Sequence, residues 1–305
     1  MILAVGLTPA WQQILLFDKF VTGEVNRAAE AHWCASGKVL NVGLALHRLG
    51  GPAKTLALVG GAAGEAIERE FRDEAVSARW IQTTAPTRVC TTILDQGKGV
   101  TTELVENSPE LLRSELDAFQ EAYAEEAAAA DLVVFSGSLP TGTPPTFYRD
   151  LLECSSAPAV LDIRSEELLH TLSQRPLLVK PNREELARTL NCTLADSGQL
   201  TDAMREINRR GARWVAVTDG GEDVWVTSAE ATYRLTPPRV ENVVNPIGCG
   251  DCLAAGFAWA IHQGKEPVEA LRIGLAAAAE NLPHLLPARL DPSRVLAMAE
   301  TIRVV

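Results

Sequence analysis

Short apolar runs alternate with amphipathic segments almost from end to end, and this alternation most restricts the architectures open to the chain. "MILAVGL", "AKTLALVG", "DLVVFSG", "APAVLDI", "PLLVKPN" and "RWVAVTDGG" are each closed by Gly, Pro, Asn or Asp. They read as strands buried on both faces. Between them, "GKVLNVGLALHRLG", "GEAIEREFRDEA", "PTFYRDLLECS", "REELARTL" and "LTDAMREINRRG" carry helical spacing. Strands alternating with helices predict an α/β fold: a three-layer αβα sandwich around a mostly parallel central sheet. In such sheets ligands gather where the strands end and the loops begin.

Two stretches break the rhythm, at about 11–33 and 87–103. They are rich in Thr, Val and polar alternation, and "TRVCTTILDQGKGVTTELV" holds two β-like runs joined at "DQGKG", a hairpin signal. These stretches predict a small separate β-sheet, a lid inserted into one domain spanning 1–305. A lid over the strand ends would keep water from a reaction that water could intercept.

Composition removes other classes. The 305 residues carry a formal charge of −11, which speaks against a general nucleic-acid binder. No run of 18 apolar residues suggests a membrane span, and "MILAVGLTPAWQQ" lacks the features of a secretory signal. The expected location is cytoplasmic. Of six cysteines only Cys249 and Cys252 have CxxC spacing, and no second pair or His cluster completes a zinc site, so reduced thiols are expected.

The stretch richest in chemical meaning is "NPIGCGDCLAAGFAWAI", residues 245–261. Small residues at Gly248, Cys249 and Gly250 let backbone approach a ligand, and the helix that follows turns its free N–H groups to the same place. This makes an anion hole. Asp251 at its edge can accept a proton from a hydroxyl attacking a bound phosphate, although a carboxylate there can equally cap the helix.

Further segments stand in a telling order: "SGKVLNVGLALHRLGG", "LLVKPNREEL", "VAVTDGGEDV" and then the Gly-Cys-Gly-Asp turn. Over essentially the whole chain they resemble the ribokinase-like (PfkB) sugar kinases. "TGEVNRA", "TRVCTTI", "TTELVENSPE", "FSGSLPTGTP" and "KPNREEL" are similar to the 1-phosphofructokinase and tagatose-6-phosphate kinase branch. The resemblance implies a ribokinase-like fold, with ATP and Mg2+ as cofactors and fructose 1-phosphate as the leading substrate. Asp251 would then be the general base, and Gly248, Cys249 and Gly250 would hold the transferring phosphoryl group. Thr218, Gly220 and Gly221 would lie along ATP, while Asn182 and Glu185 would organise magnesium, Glu185 through water. Gln12, Gly37, Lys38, Asn41 and Arg88 would bind the sugar phosphate, with Arg27 a weaker third cation beside Lys38 and Arg88. Relatives frequently dimerise through the lid, which makes a homodimer a candidate assembly.

The chain also departs from the family pattern. Ser36-Gly37 replaces a glycine pair, Val39 replaces a glycine, Gln12 stands where an aspartate is usual, and Asn245-Pro246 replaces Asp-Thr. A β-branched Val39 would resist a positive φ. Cys249 at a helix start is expected to have a lowered thiol pKa, and hence to be alkylated with loss of activity unless ATP protects it. Two alternatives stay open: a kinase of tagatose 6-phosphate or of an unphosphorylated sugar or nucleoside, and a catalytically weak sugar-phosphate sensor.

Overall fold

The computed structural model describes residues 1–305. Its strands, in chain order, are β1 (Ile2–Gly6), β2 (Ala10–Phe17), β3 (Glu30–Ser36), β4 (Ala53–Val59), β5 (Ala78–Gln82), β6 (Val89–Asp95) and β7 (Val100–Val105). There follow β8 (Leu132–Ser136), β9 (Ala159–Asp162), β10 (Leu178–Val179), β11 (Trp214–Val217), β12 (Val224–Thr227), β13 (Thr232–Thr236) and β14 (Arg303–Val304).

Ten of these form one sheet in the order β14-β13-β12-β11-β10-β9-β8-β1-β4-β5. From β5 to β11 all neighbours run parallel, and β12 to β14 close that edge antiparallel. The chain starts in the middle at β1 and winds outward in both directions, so a switch point lies beside β1. That is where loops diverge and leave a crevice.

Alternate residues of each strand feed different cores, because successive side chains point to opposite faces. Ile2 and Ala4 pack with the helices Lys38–Arg48, Cys249–His262, Pro267–Asn281 and Pro292–Thr301. Leu3 and Val5 pack with the helices Arg113–Ala127, Phe147–Glu153 and Ser197–Arg210 on the other face. The sandwich is therefore the three-layer, mostly parallel α/β fold. The antiparallel edge β12–β14 and the last two helices are additions that the periodicity of the chain does not announce. No helix is long and apolar enough to cross a membrane.

The remaining four strands make a separate small sheet, ordered β3-β2-β6-β7. β6 and β7 are the hairpin at "DQGKG", with Asp95 opposite Val100. Residues 18–29, between β2 and β3, are loop. The underside of this sheet buries Ile14, Cys34 and Leu94, which meet Leu285 and Leu286 of the main body.

One contact fixes the seat of the helix Lys38–Arg48. A side chain at Gly6 of β1 would begin 2.4 Å from the Ser136 carbonyl oxygen and 2.7 Å from Val39 Cβ. Only glycine lets the helix come that close. Val39 is itself an ordinary buried helical residue without positive φ, so the strain expected of a β-branched residue there does not arise.

Candidate active site

The site is assembled from strand ends. β9 ends in Asp162, β10 leads into Lys180 and Asn182, and the helices beginning at Lys38 and Cys249 point their first turns at the same crevice. The turn before the second helix is braced twice. Asn245 Oδ1 accepts the Ile247 amide (3.0 Å) and its Nδ2 donates to the Leu285 carbonyl (2.8 Å). Asn281 Nδ2 donates to the Ile247 carbonyl (2.9 Å), while its Oδ1 accepts the Ala288 amide (2.7 Å). Asn245, which takes the place of the usual aspartate, thus does its bracing as a neutral amide. Gly248 sits at φ +84°, a left-handed conformation that favours glycine, and opens the helix; the Cys249 amide makes a long bond to the Pro246 carbonyl (3.4 Å), and the Gly250 and Asp251 amides have no backbone partner.

Asp251 is buried in the first turn of that helix. Asn41 Nδ2 donates to its Oδ2 at 2.7 Å, and Ser36 Oγ donates to Asn41 Oδ1 at 3.2 Å. A hydroxyl, an amide and a carboxylate are thereby set in line, and the serine fixes which end of the amide faces Asp251. Burial first, and then repulsion from Asp162, push the Asp251 carboxyl up to about 7, against the pull of Lys38, Asn41 and Lys180.

Asp162 is the other buried carboxylate. It lies between two cations, Lys180 Nζ at 3.2 Å and Lys38 Nζ at 3.3 Å. Burial works to raise its pKa, yet Lys180 and Lys38 hold it below the usual carboxylate value. Burial likewise opposes the Lys38 ammonium, but Asp162, Glu185 and Asp251 keep its pKa above that of a free lysine. Two neighbouring carboxylates are thus driven in opposite directions, the pattern that divides proton acceptor from charge carrier. Lys180 is only 4 % exposed, and a Cβ on Gly250 would stand 3.3 Å from its Nζ. Its ammonium therefore borders the first turn of the helix Cys249–His262.

Glu185 and Asn182 form a capping box: Asn182 Oδ1 accepts the Glu185 amide (2.7 Å) and Glu185 Oε2 accepts the Asn182 amide (3.0 Å). The other oxygen, Oε1, faces Lys38 (3.8 Å) and Arg164 (3.7 Å). Asn182 also pairs with Thr218 in a parallel bridge beyond β10 and β11, which brings Thr218 to the same rim. Gly220 and Gly221 follow with open space around them. The donors suit a polyphosphate: free helix amides and two lysines. No group of three His, Cys, Asp or Glu side chains gathers as a ready metal cage. A magnesium ion would rely on phosphate oxygens and water, with Glu185 as an outer partner.

Three expected residues stand apart from this cluster. Gln12 lies under the lid, 3 % exposed, and donates to Thr92 Oγ1 at 2.7 Å. It is flanked across the strands by Cys34 and Cys90. Arg88 sits at the lid base and spends its guanidinium on the carbonyls of Thr8 (3.0 Å), Pro9 (3.3 Å) and Glu106 (3.3 Å). Arg27 lies in the loop between β2 and β3.

Cys249 corrects its expectation. Burial pushes its thiol up to about 11, Asn281 Nδ2 donating to the sulfur (3.4 Å) works the other way, and the Asp251 charge adds to the rise. A helix start cannot lower a thiol pKa when desolvation and a neighbouring carboxylate both oppose the thiolate. Its alkylation is accordingly not favoured.

Asp162, Lys180 and Arg164 are the functional candidates that sequence reasoning missed. The first two were hidden at the ends of apolar runs, and their adjacency exists only across parallel strands.

Comparison with known proteins agrees with this architecture. Residues 1–287 match the pfkB family carbohydrate kinase. A possible 1-phosphofructokinase from Thermotoga maritima is 20% identical, with a TM-score of 0.91 over 100% of this chain and 99% of that one. Phosphofructokinase-2 from Escherichia coli in complex with fructose-6-phosphate is 24% identical, with a TM-score of 0.88 over 99% of each. Arabidopsis thaliana ribokinase complexed with ribose and ATP is 20% identical, with a TM-score of 0.77 over 98% of each. These likenesses show a shared ribokinase-like fold, and with the match over nearly the full length the chain belongs to the pfkB family of carbohydrate kinases.

Proposed function

We propose that the chain transfers the γ-phosphoryl group of ATP to a hydroxyl of a phosphorylated ketohexose, fructose 1-phosphate being the leading candidate. The observation that carries this reading is Asp251: a buried carboxyl with its pKa at about 7, oriented by Asn41, at the edge of an anion hole bordered by Lys180. A base poised near neutral pH can take a hydroxyl proton without being permanently protonated. The sugar oxygen forms its bond to Pγ as the bond from Pγ to the β-phosphate oxygen breaks. The proton goes to Asp251, and ADP leaves. Amides at Gly248, Cys249 and Gly250, with Lys180, meet the charge on the transferring oxygens. Magnesium, when bound, would neutralise further phosphate charge, with Glu185 and Asn182 at its outer edge.

Lys38 supports a phosphorylated substrate: its ammonium is paired with Asp162 at 3.3 Å, yet 39% of the side chain is exposed, and a sugar phosphate would share that cation. Thr218, Gly220 and Gly221 would flank the nucleotide. Gln12, Gly37 and Asn41 would contact sugar hydroxyls, and Arg88 would shape the lid base and reach the substrate phosphate only by giving up a carbonyl. We read the small sheet as the lid of a single catalytic domain. The face opposite Gln12 exposes Trp33, stacked on Trp11, and Leu104, a surface suited to a second copy, although Trp11 itself packs against the main core; mass measured across a dilution series tests that.

The test is ADP release with magnesium and ATP across fructose 1-phosphate, fructose 6-phosphate, tagatose 6-phosphate, fructose and ribose. Asp251→Asn should lower turnover by about 10³-fold or more while sugar-phosphate binding persists. Turnover of free sugars alone would move the reading to an unphosphorylated substrate. Binding without any turnover would leave a sensor.

A further inference from the structure

Arg164 is a cation of this cluster that lies outside every motif quoted from the sequence. It follows Asp162 by two residues, and its neighbour Ser165 holds φ +59°, a left-handed conformation that costs a non-glycine residue about 1 kcal/mol. That turn is fastened. The Ser165 amide donates to Thr189 Oγ1 (2.9 Å), and the same hydroxyl donates to the Glu185 carbonyl (2.7 Å). Thr189 thus ties the turn bearing Arg164 to the helix bearing Glu185. Strain kept in place by built contacts at a strand end marks a constraint other than folding.

The charges point the same way. Asp162, Glu185 and Asp251 are opposed by Lys38, Lys180 and Arg164, three against three. Lys180 is committed to Asp162 and the anion hole, and Lys38 to Asp162. Arg164 has only Glu185, at 3.7 Å, with 51% of its side chain exposed. It is therefore the least committed cation of the cluster, sharing Glu185 Oε1 with Lys38.

Resting on the kinase reading above, we propose that Arg164 binds the polyphosphate of the nucleotide. It exchanges its pairing with Glu185 for phosphate oxygens, which frees the Glu185 carboxylate for hydrated magnesium. A guanidinium suits this exchange, since it can grip two phosphate oxygens at once and stays charged throughout.

Calorimetric titration of the full chain with ATP in EDTA, and again with magnesium, tests the assignment, using the parent, Arg164→Gln and Arg164→Lys. The Gln variant should bind metal-free ATP about tenfold more weakly, the Lys variant should recover part of the loss, and fructose 1-phosphate affinity should not move. The melting temperature serves as the fold check, and half-exposed Arg164 should leave it unchanged. Metal-free ATP affinity within twofold of the parent in Arg164→Gln overturns the proposal. A change confined to the magnesium titration also overturns it, because Arg164 would then only position Glu185. If the parent binds no ATP with or without magnesium, the kinase reading fails and this inference falls with it.

Discussion

The two walls of the crevice are built on different principles. The strand-end wall is a lattice of buried charges, with Asp162 held by two lysines and Asp251 held by Asn41, which is in turn held by Ser36. The lid wall is neutral and soft: Gln12 pinned to Thr92, between Cys34 and Cys90. Chemistry common to a family needs fixed charges, since a misplaced buried charge is expensive. Choice among sugars needs only a few exchangeable polar contacts. On the proposed reading, this difference would let position 12 vary while the charges around Asp251 stay fixed.

Removing Lys180 should strike hardest at that contrast. Lys180→Met leaves Asp162 with only its partly exposed partner Lys38, and should cost about 3 kcal/mol in urea unfolding. Turnover should fall with it. An equal loss of stability from a lid substitution such as Thr92→Val would break the comparison.

The next effect lies in pH. As the proposed base, Asp251 would have to be ionised to act, and burial pushes its pKa up to about 7, so kcat/KM should rise with pH through that value and level off above it. The Asn41 N–H favours the ionised form. Asn41→Leu should therefore carry the acid limb to higher pH, and Ser36→Ala should do so less, measured as full pH–rate profiles. A limb that stays put in both would mean that another group is titrating.

Substitution under the lid should be gentler on rate and stronger on preference. Gln12→Asp replaces a mixed donor and acceptor with an acceptor, and should change the ratio of kcat/KM between ketohexose phosphates by about tenfold while the best rate holds. The smallest effect belongs to Cys249. Its raised pKa predicts that iodoacetamide at pH 7 modifies the exposed Cys154 and Cys192 well before it, as peptide mass mapping would record.

Much of this was readable from the chain. The parallel sheet followed from apolar runs closed by turn residues, and the glycine-opened helix start from three small residues ahead of an Ala-rich segment. Asn182 and Glu185 were readable as a pair because a capping box is a local device. Asp162, Lys180 and Arg164 were not, since they end or follow runs whose hydrophobicity says only "strand", and their partners are set by lateral strand order. The Asn41–Asp251 bond spans 210 residues of sequence. Cys249 misled because helix position can be read from sequence, whereas depth of burial at a helix start cannot. The antiparallel edge escaped because β13 and β14 are partly or fully exposed at every residue but Leu235 and carry no continuous apolar run.

Gly6 turns out to be the datum from which the site is measured. The carbonyl of Ser136 and the side chain of Val39 both close on the empty place where its Cβ would be, and their chain neighbourhoods lead on to the site. Lys38 adjoins Val39, and Ser136 Oγ reaches Asp162 at 3.5 Å. A single added methyl would wedge helix from sheet and move both ends of the Lys38–Asp162 pair at once, 3.3 Å apart as they stand. The tolerance of the proposed phosphoryl-transfer site is here set by an atom that is missing, in the central strand of the sheet.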